Sequence, residues 1–265
     1  MSENEQLFCG GKDIPIEEYL AIDAEHSSGV RAVVPPDGYP EAYHFSFTAS
    51  HKMVQGSTIH CALLEPERFE ADYGFYPGKV RRGKEYEAWL AETGKEALLK
   101  SEMQHIENVR LRLDSKPTIR KLLDSAELIE HSFFWLDPVT GLYCKCRPDL
   151  ITKHGVKLDI KTTDGDIKPK AFQRTCENMG YYIQDSMHTI GVEQAAGMKI
   201  ESSGALAVQS KPPYEMTIYM YDKEYKSMGR RQVRLGLDII KRCKDSGEWP
   251  GMPEVQEITP SPWME

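Results

Sequence analysis

Arg147-Pro148-Asp149-Leu150-Ile151-Thr152-Lys153-His154-Gly155-Val156-Lys157-Leu158-Asp159-Ile160-Lys161 is the stretch on which the fold of this chain turns. Two alternating runs flank a breaker. In Leu142 to Leu150, the apolar Leu142, Cys144, Cys146 and Leu150 alternate with Tyr143, Lys145, Arg147 and Asp149, the period of a half-buried strand. In Val156 to Lys161, Val156, Leu158 and Ile160 point one way and Lys157, Asp159 and Lys161 the other. Lys153-His154-Gly155 suits a three-residue hairpin loop, with glycine where a left-handed backbone is favoured. Such a hairpin sets Asp149 opposite Asp159.

Facing like charges weaken a strand pair, and a divalent cation bound by hard oxygen ligands is the commonest compensation. Mg²⁺ is the expected ion, with Mn²⁺ able to substitute. Lys161 shares the face of Asp159, where an ammonium can orient water or neutralise charge growing on a phosphate. Asp-Ile-Lys alone is an ordinary surface tripeptide. The upstream Pro-Asp, the matching parity and the short loop turn the reading toward metal-dependent phosphodiester chemistry.

Pro148-Asp149 followed by Asp159-Ile160-Lys161 resembles the PD-(D/E)XK nuclease core, with aspartate in the second acidic position. Gly56-Ser57-Thr58-Ile59-His60 running into Leu63-Leu64-Glu65-Pro66-Glu67-Arg68-Phe69, then Gly141 to Asp149 and Asp159-Ile160-Lys161-Thr162-Thr163, resemble the nuclease domain of the RecE (exonuclease VIII) family. The resemblance runs from about Phe47 to Pro250. It implies a Mg²⁺-dependent 5′→3′ exonuclease on double-stranded DNA ends, leaving 3′ single-stranded tails for an annealing or recombinase partner. It further implies a metal held by His60, Asp149, Asp159 and the main-chain carbonyl of Ile160, with Lys161 as the catalytic lysine beside the two acids.

Read without the resemblance, His60 lies between Gly56 and Leu64 on a helix face and reads as a satisfied core histidine. Glu130, before His131-Ser132-Phe133-Phe134-Trp135, is either an outer or second-metal group of the site or an ordinary strand-edge acid. Tyr181-Tyr182-Ile183-Gln184 resembles a further motif of the family, from which Gln184 carries over as an ordering residue and Tyr181 as a DNA contact. A polar stripe on a core helix is the alternative for the tyrosines. Where the family often has a tyrosine four residues after that glutamine, this chain has His188, whose role stays open.

At 265 residues, with 40% hydrophobic and 28% charged residues, the chain has the composition of a globular protein able to bury one sizeable core. It has no apolar run long enough to span a membrane and no basic-then-apolar leader, so the cytoplasm is the expected compartment. The six cysteines include no C-x-x-C pair, which speaks against a zinc module or a disulfide framework. A net charge of −8 repels DNA at long range, so a DNA-acting chain needs a local basic field or a topological hold, such as a ring-like homo-oligomer. Basic clusters occur at Lys79 to Lys84, at Lys168, Lys170 and Arg174, and from Lys226 to Lys244. Arg81, Arg82 and Lys84 are the favoured phosphate contacts, and Arg147 either touches phosphate or pairs with an acid.

Periodicity and breakers divide the chain into an irregular arm over 1–45, a nuclease domain over 46–246 and a proline-rich tail over 247–265. Strands are expected over Leu128 to Trp135, Leu142 to Ile151, Val156 to Thr162, Ala205 to Gln209 and Tyr214 to Tyr221. Helices are expected near Ser50 to Leu64, Glu85 to Glu92, Lys95 to Leu113, after Pro117, Lys170 to Glu177, Tyr182 to Ile190 and Asp222 to Lys244. This order makes a mixed α/β fold, a central sheet flanked by helices. Another nuclease of the same core, an endonuclease or a single-strand trimming enzyme, shares the site chemistry. A catalytically inert DNA-binding relative is the remaining alternative, and intact Asp149, Asp159 and Lys161 speak against it.

Overall fold

The computed structural model describes residues 10–45, 51–255 and 257. Its organising strand is β8 (Val156–Thr163), which pairs in parallel with β9 (Ser202–Gln209) along its whole length. Antiparallel neighbours extend the sheet: β10 (Met216–Met220) on β9, and β7 (Leu150–Thr152) then β4 (Ala126–Ile129) on the other side of β8. The result is the expected mixed central sheet. A second sheet joins β1 (Gly10–Lys12), β5 (Ser132–Leu136) and β6 (Tyr143–Cys146), and β2 (Tyr73–Phe75) pairs with β3 (Glu96–Leu98) apart from both.

Helices cover both faces. On one, Leu150, Leu158 and Ile160 pack against α3 (His51–Leu64), α6 (Lys100–Asp114) and α7 (Pro117–Leu123), which follow α1 (Ile16–Ala21), α2 (Ser27–Val33), α4 (Pro66–Asp72) and α5 (Lys84–Thr93) in the chain. On the other face, Ile151 joins Phe133, Trp135, Cys144 and Cys146 of the second sheet under a lid of helices. That lid consists of α2, α9 (Tyr181–Ala196) and α10 (Lys223–Ser246), after α8 (Pro169–Asn178). Each fully buried Leu, Ile or Phe contributes roughly 1.5–3 kcal/mol, so the helices on both faces are held chiefly by burial. α10 starts where Asp222 accepts a hydrogen bond from the Tyr225 amide at 2.8 Å, a side-chain cap for the first turn.

The structure departs from the sequence expectations in four places. The strand expected over Leu128 to Trp135 is two strands in two sheets, because Glu130 takes a left-handed backbone (φ 48°) that no ladder continues. The strand expected over Leu142 to Ile151 likewise divides into β6 and β7 at Arg147-Pro148-Asp149, where proline has no amide to donate. The helix expected from Lys95 begins instead at Lys100, after β3, with the Glu102 carboxylate accepting from the Leu99 amide at 2.8 Å. The described part of the expected arm, residues 10–45, belongs to the fold: Val30, Val33 and Val34 are buried against α9 and α10, and β1 pairs with β5.

The hairpin loop forms as read, with the Gly155 amide donating to the Thr152 carbonyl at 2.9 Å and φ +72° at Gly155. β8 is not half-buried, however, since α9 covers its polar face and Lys157 is fully buried. The start of the proline-rich tail folds back on its own chain, Trp249 stacking on Tyr43 with ring centroids 4.7 Å apart. Ser50, Cys9, Pro260 and Pro262 lie outside the described residues.

Candidate metal centre

Residues from four parts of the chain converge where β7 begins. β7 pairs with β8 only at Leu150–Leu158 and Ile151–Lys157, and the same register carried one step further sets Asp149 across from Asp159. The chain leaves the sheet at Pro148, so on the β7 side the Ile160 amide has no strand to accept its hydrogen. The Asp149 carboxylate takes that place, its Oδ2 accepting from Ile160 at 2.6 Å. The same oxygen lies 3.4 Å from His60 Nδ1. α3 delivers His60 by lying close on β8: a Cβ on Gly56, one helical turn earlier, would stand 2.8 Å from Thr162 Oγ1.

Glu130 completes the cluster. One ligand atom from each of His60, Glu130 and Asp149 falls within 4.8 Å of the others. The Glu130 amide donates to the Asp149 carbonyl at 3.0 Å, tying the two strand breaks together. Burial, then the charge of Asp149, pushes the Glu130 carboxyl up to about 8 against the pull of Arg147. Two carboxylates and an imidazole, one acid strained in its backbone and raised despite its Arg147 partner, fit a hard divalent cation. The sequence offered Glu130 as an outer or second-metal group or a strand-edge acid; its place beside His60 and Asp149 comes from the crossing between sheets, which nothing local marks.

Asp159 lies apart from that cluster, on the α9 side of β8. It is 2% exposed and flanked by Lys157 and Lys161. Lys157 Nζ sits 3.7 Å from Asp159 Oδ2 and 2.6 Å from Asp185 Oδ1. His188 Nδ1 stands 3.2 Å from Asp159 Oδ1, yet out of line, so neither atom has a hydrogen-bond partner among the described residues. Burial raises the Asp159 carboxyl, but His188, Lys161 and Lys157 together outweigh it and hold the group well below the usual carboxylate range. An ionised, buried carboxylate with an unpartnered oxygen next to an acidic cluster again suits a cation.

Lys161 Nζ donates to Gln184 Oε1 at 2.7 Å and lies 4.7 Å from the centre of the Tyr181 ring. The helix motif thus orders the lysine. Lys161 and Tyr181 line a groove of about 610 Å³, with Gly56, His105, Phe172 and Lys211 among its walls. The expected phosphate contacts divide. Arg81 is bound by the Ala97 carbonyl at 2.8 Å and by Glu102, and Arg147 by Glu130 at 3.1 Å, the Ile14 carbonyl at 2.8 Å and Ser132 at 2.8 Å. Arg147 therefore takes the acid-pairing alternative. Arg82 and Lys84 are exposed. The Lys157–Asp185 pair went unread in the sequence, where Lys157 was only placed on the same strand face as Asp159 and Lys161.

A family model described as a PDDEXK-like domain of unknown function (DUF3799) matches residues 42–261. The chain belongs to this family. Among solved structures, this PDDEXK-like chain is similar to one named "Putative exonuclease" from Eubacterium rectale, with a TM-score of 0.64 at 14% identity over 95% of this chain and 96% of the other. That likeness is one of fold. A structure of SSO0001 aligns at a TM-score of 0.30 and 16% identity over 73% of this chain and 86% of that one. No curated protein matches the chain. PD-(D/E)XK nucleases depend on divalent metal, and the PDDEXK-like chain has an acidic cluster able to hold one. Among the described residues, no helix is long and apolar enough to cross a membrane.

Proposed function

We propose that this PDDEXK-like chain is a Mg²⁺-dependent deoxyribonuclease of the RecE kind, resecting linear duplex DNA 5′→3′ and leaving 3′ single-stranded tails. The observation that carries the reading is Lys161, anchored by Gln184 at 2.7 Å and lining a groove whose wall includes Gly56, one helical turn before His60 of the His60, Glu130 and Asp149 cluster. His60, Asp149 and Glu130 would hold the cation, with Asp159 and the Ile160 carbonyl joining from β8. A bound Mg²⁺ or Mn²⁺ supplies concentrated positive charge at the scissile phosphate and makes water a better nucleophile. Lys161 places its ammonium where the phosphate gains charge, and Gln184 keeps that ammonium from turning back toward Asp159. Tyr181 offers its ring to the strand in the groove, and Arg82 and Lys84 hold the phosphates outside it.

The net charge of −8 gives no long-range attraction for DNA, which supports a closed, ring-like homo-oligomer around the duplex and an annealing or recombinase protein to receive the tail. The test uses linear duplex labelled at either 5′ or 3′ ends, and covalently closed circles, with Mg²⁺ or with EDTA. Early release of the 5′ label from linear DNA, with circles intact and EDTA inhibiting, is the expected result. Cut circles would replace the reading with an endonuclease. Binding without cleavage under any divalent cation would leave a DNA-binding protein. Prior loss of the 3′ label would refute the polarity.

A further inference from the structure

β8 turns three charged groups toward α9, and two of them have dedicated partners there. Lys157 Nζ donates to Asp185 Oδ1 at 2.6 Å and to the Asp185 carbonyl at 3.2 Å, while Ser203 Oγ holds the other carboxylate oxygen at 3.0 Å. Lys161 is held by Gln184. Between them, Asp159 faces His188 at 3.2 Å without an aligned hydrogen bond. At 2% and 4% exposure, both residues are shut off from bulk solvent. The backbone beneath His188 is fixed: Cys146 Sγ donates to its carbonyl at 3.7 Å, and Gly191 lets the helix close on Cys146 and Trp135. Only the imidazole and the carboxylate remain to rotate, and each is the other's unused complement.

We propose that His188 is the positioning residue for Asp159, its Nδ1–H fixing Oδ1 so that the carboxylate is set toward the cation. The proposal rests on the reading above, in which Asp159 joins the metal site. A metal-bound carboxylate left without such an outer partner typically loses 10- to 100-fold in metal affinity. The role belongs to Nδ1. An asparagine at 188 puts an N–H donor at the same bond distance from the backbone, whereas a glutamine puts it one bond further out, near the place of Nε2.

Mn²⁺ titration calorimetry on the full chain, with melting curves in EDTA, tests this for His188→Ala, His188→Asn, His188→Gln and Asp159→Asn. His188→Ala is expected to weaken Mn²⁺ binding at least about tenfold, and His188→Asn to restore most of the loss while His188→Gln does not. Cleavage by His188→Ala should recover at saturating Mn²⁺, as befits a lost affinity. Parent-like Mn²⁺ affinity in His188→Ala, alongside its loss in Asp159→Asn, would overturn the proposal and leave the metal reading standing. Unchanged affinity in Asp159→Asn would remove Asp159 from the metal site and the proposal with it. Should His188→Ala not fold, the asparagine and glutamine variants decide, since equal affinity in the two overturns the assignment to Nδ1.

Discussion

Glu130 pays for its position twice, in a left-handed backbone and in a carboxyl raised from 4.5 to about 8 by burial and by Asp149. The sign of the resulting pH dependence follows. Between those two values the folded chain keeps a proton that the unfolded chain has lost, so the Glu130 contribution to metal-free stability is fully present below about pH 4.5 and is lost as pH rises toward 8. Melting in EDTA should therefore show a midpoint that falls across this window, and Glu130→Gln should flatten the slope. The same variant should bind Mn²⁺ more weakly, because a ligand charge is gone. Lys161 predicts a different pattern. Lys161→Ala should keep Mn²⁺ affinity while single-turnover cleavage slows on the order of a hundredfold or more, the signature of an interaction used only in the transition state. Equal losses in metal affinity and rate would instead make Lys161 part of the metal site's scaffold.

At the scale of elements, the site depends on how closely α3 approaches β8. Gly56→Ala would bring a Cβ to 2.8 Å from Thr162 Oγ1, pushing the helix away and carrying His60 off Asp149. Mn²⁺ affinity should drop while helix content holds, and adding Thr162→Ala should recover part of the loss. Calorimetry on the two single variants and the double completes that cycle; strict additivity would mean the helix tolerates the methyl group in some other way. The legibility of these elements follows a physical division. The hairpin loop between Asp149 and Asp159 was readable because a short loop with glycine is a local property of the chain, whereas the separation of Asp159 from the His60, Glu130 and Asp149 cluster was not. Sheet membership is not local: nothing in Leu128 to Trp135 reveals that Glu130 ends one ladder and Ser132 opens another. For the same reason nothing in the sequence pairs Lys157 with Asp185, which the fold buries together.

For the whole molecule, residues 10–45 belong to the fold and not to an appendage. Val30 is fully buried and packs in the core shared by α2, α9 and α10, where Gly236 leaves it room. Val30→Asp should cost several kcal/mol, enough to unfold the chain or to collapse its urea midpoint, through an unpaired charge in the core. Val139→Asp, at 70% exposure, should stay within about 0.5 kcal/mol of the parent and serves as its control. Comparable urea midpoints for the two variants would return the segment to the status of an arm.

The two crossings from one sheet to the other, at Glu130 and at Arg147 to Asp149, lie side by side and are joined by the Glu130 amide and the Asp149 carbonyl. A cation gripped by Glu130 and Asp149 is then a rivet through both layers. Thermodynamic linkage makes the consequence reciprocal. Whatever strengthened such a rivet would stiffen the sheets against each other, and a load that pried them apart would loosen the ion by the same factor.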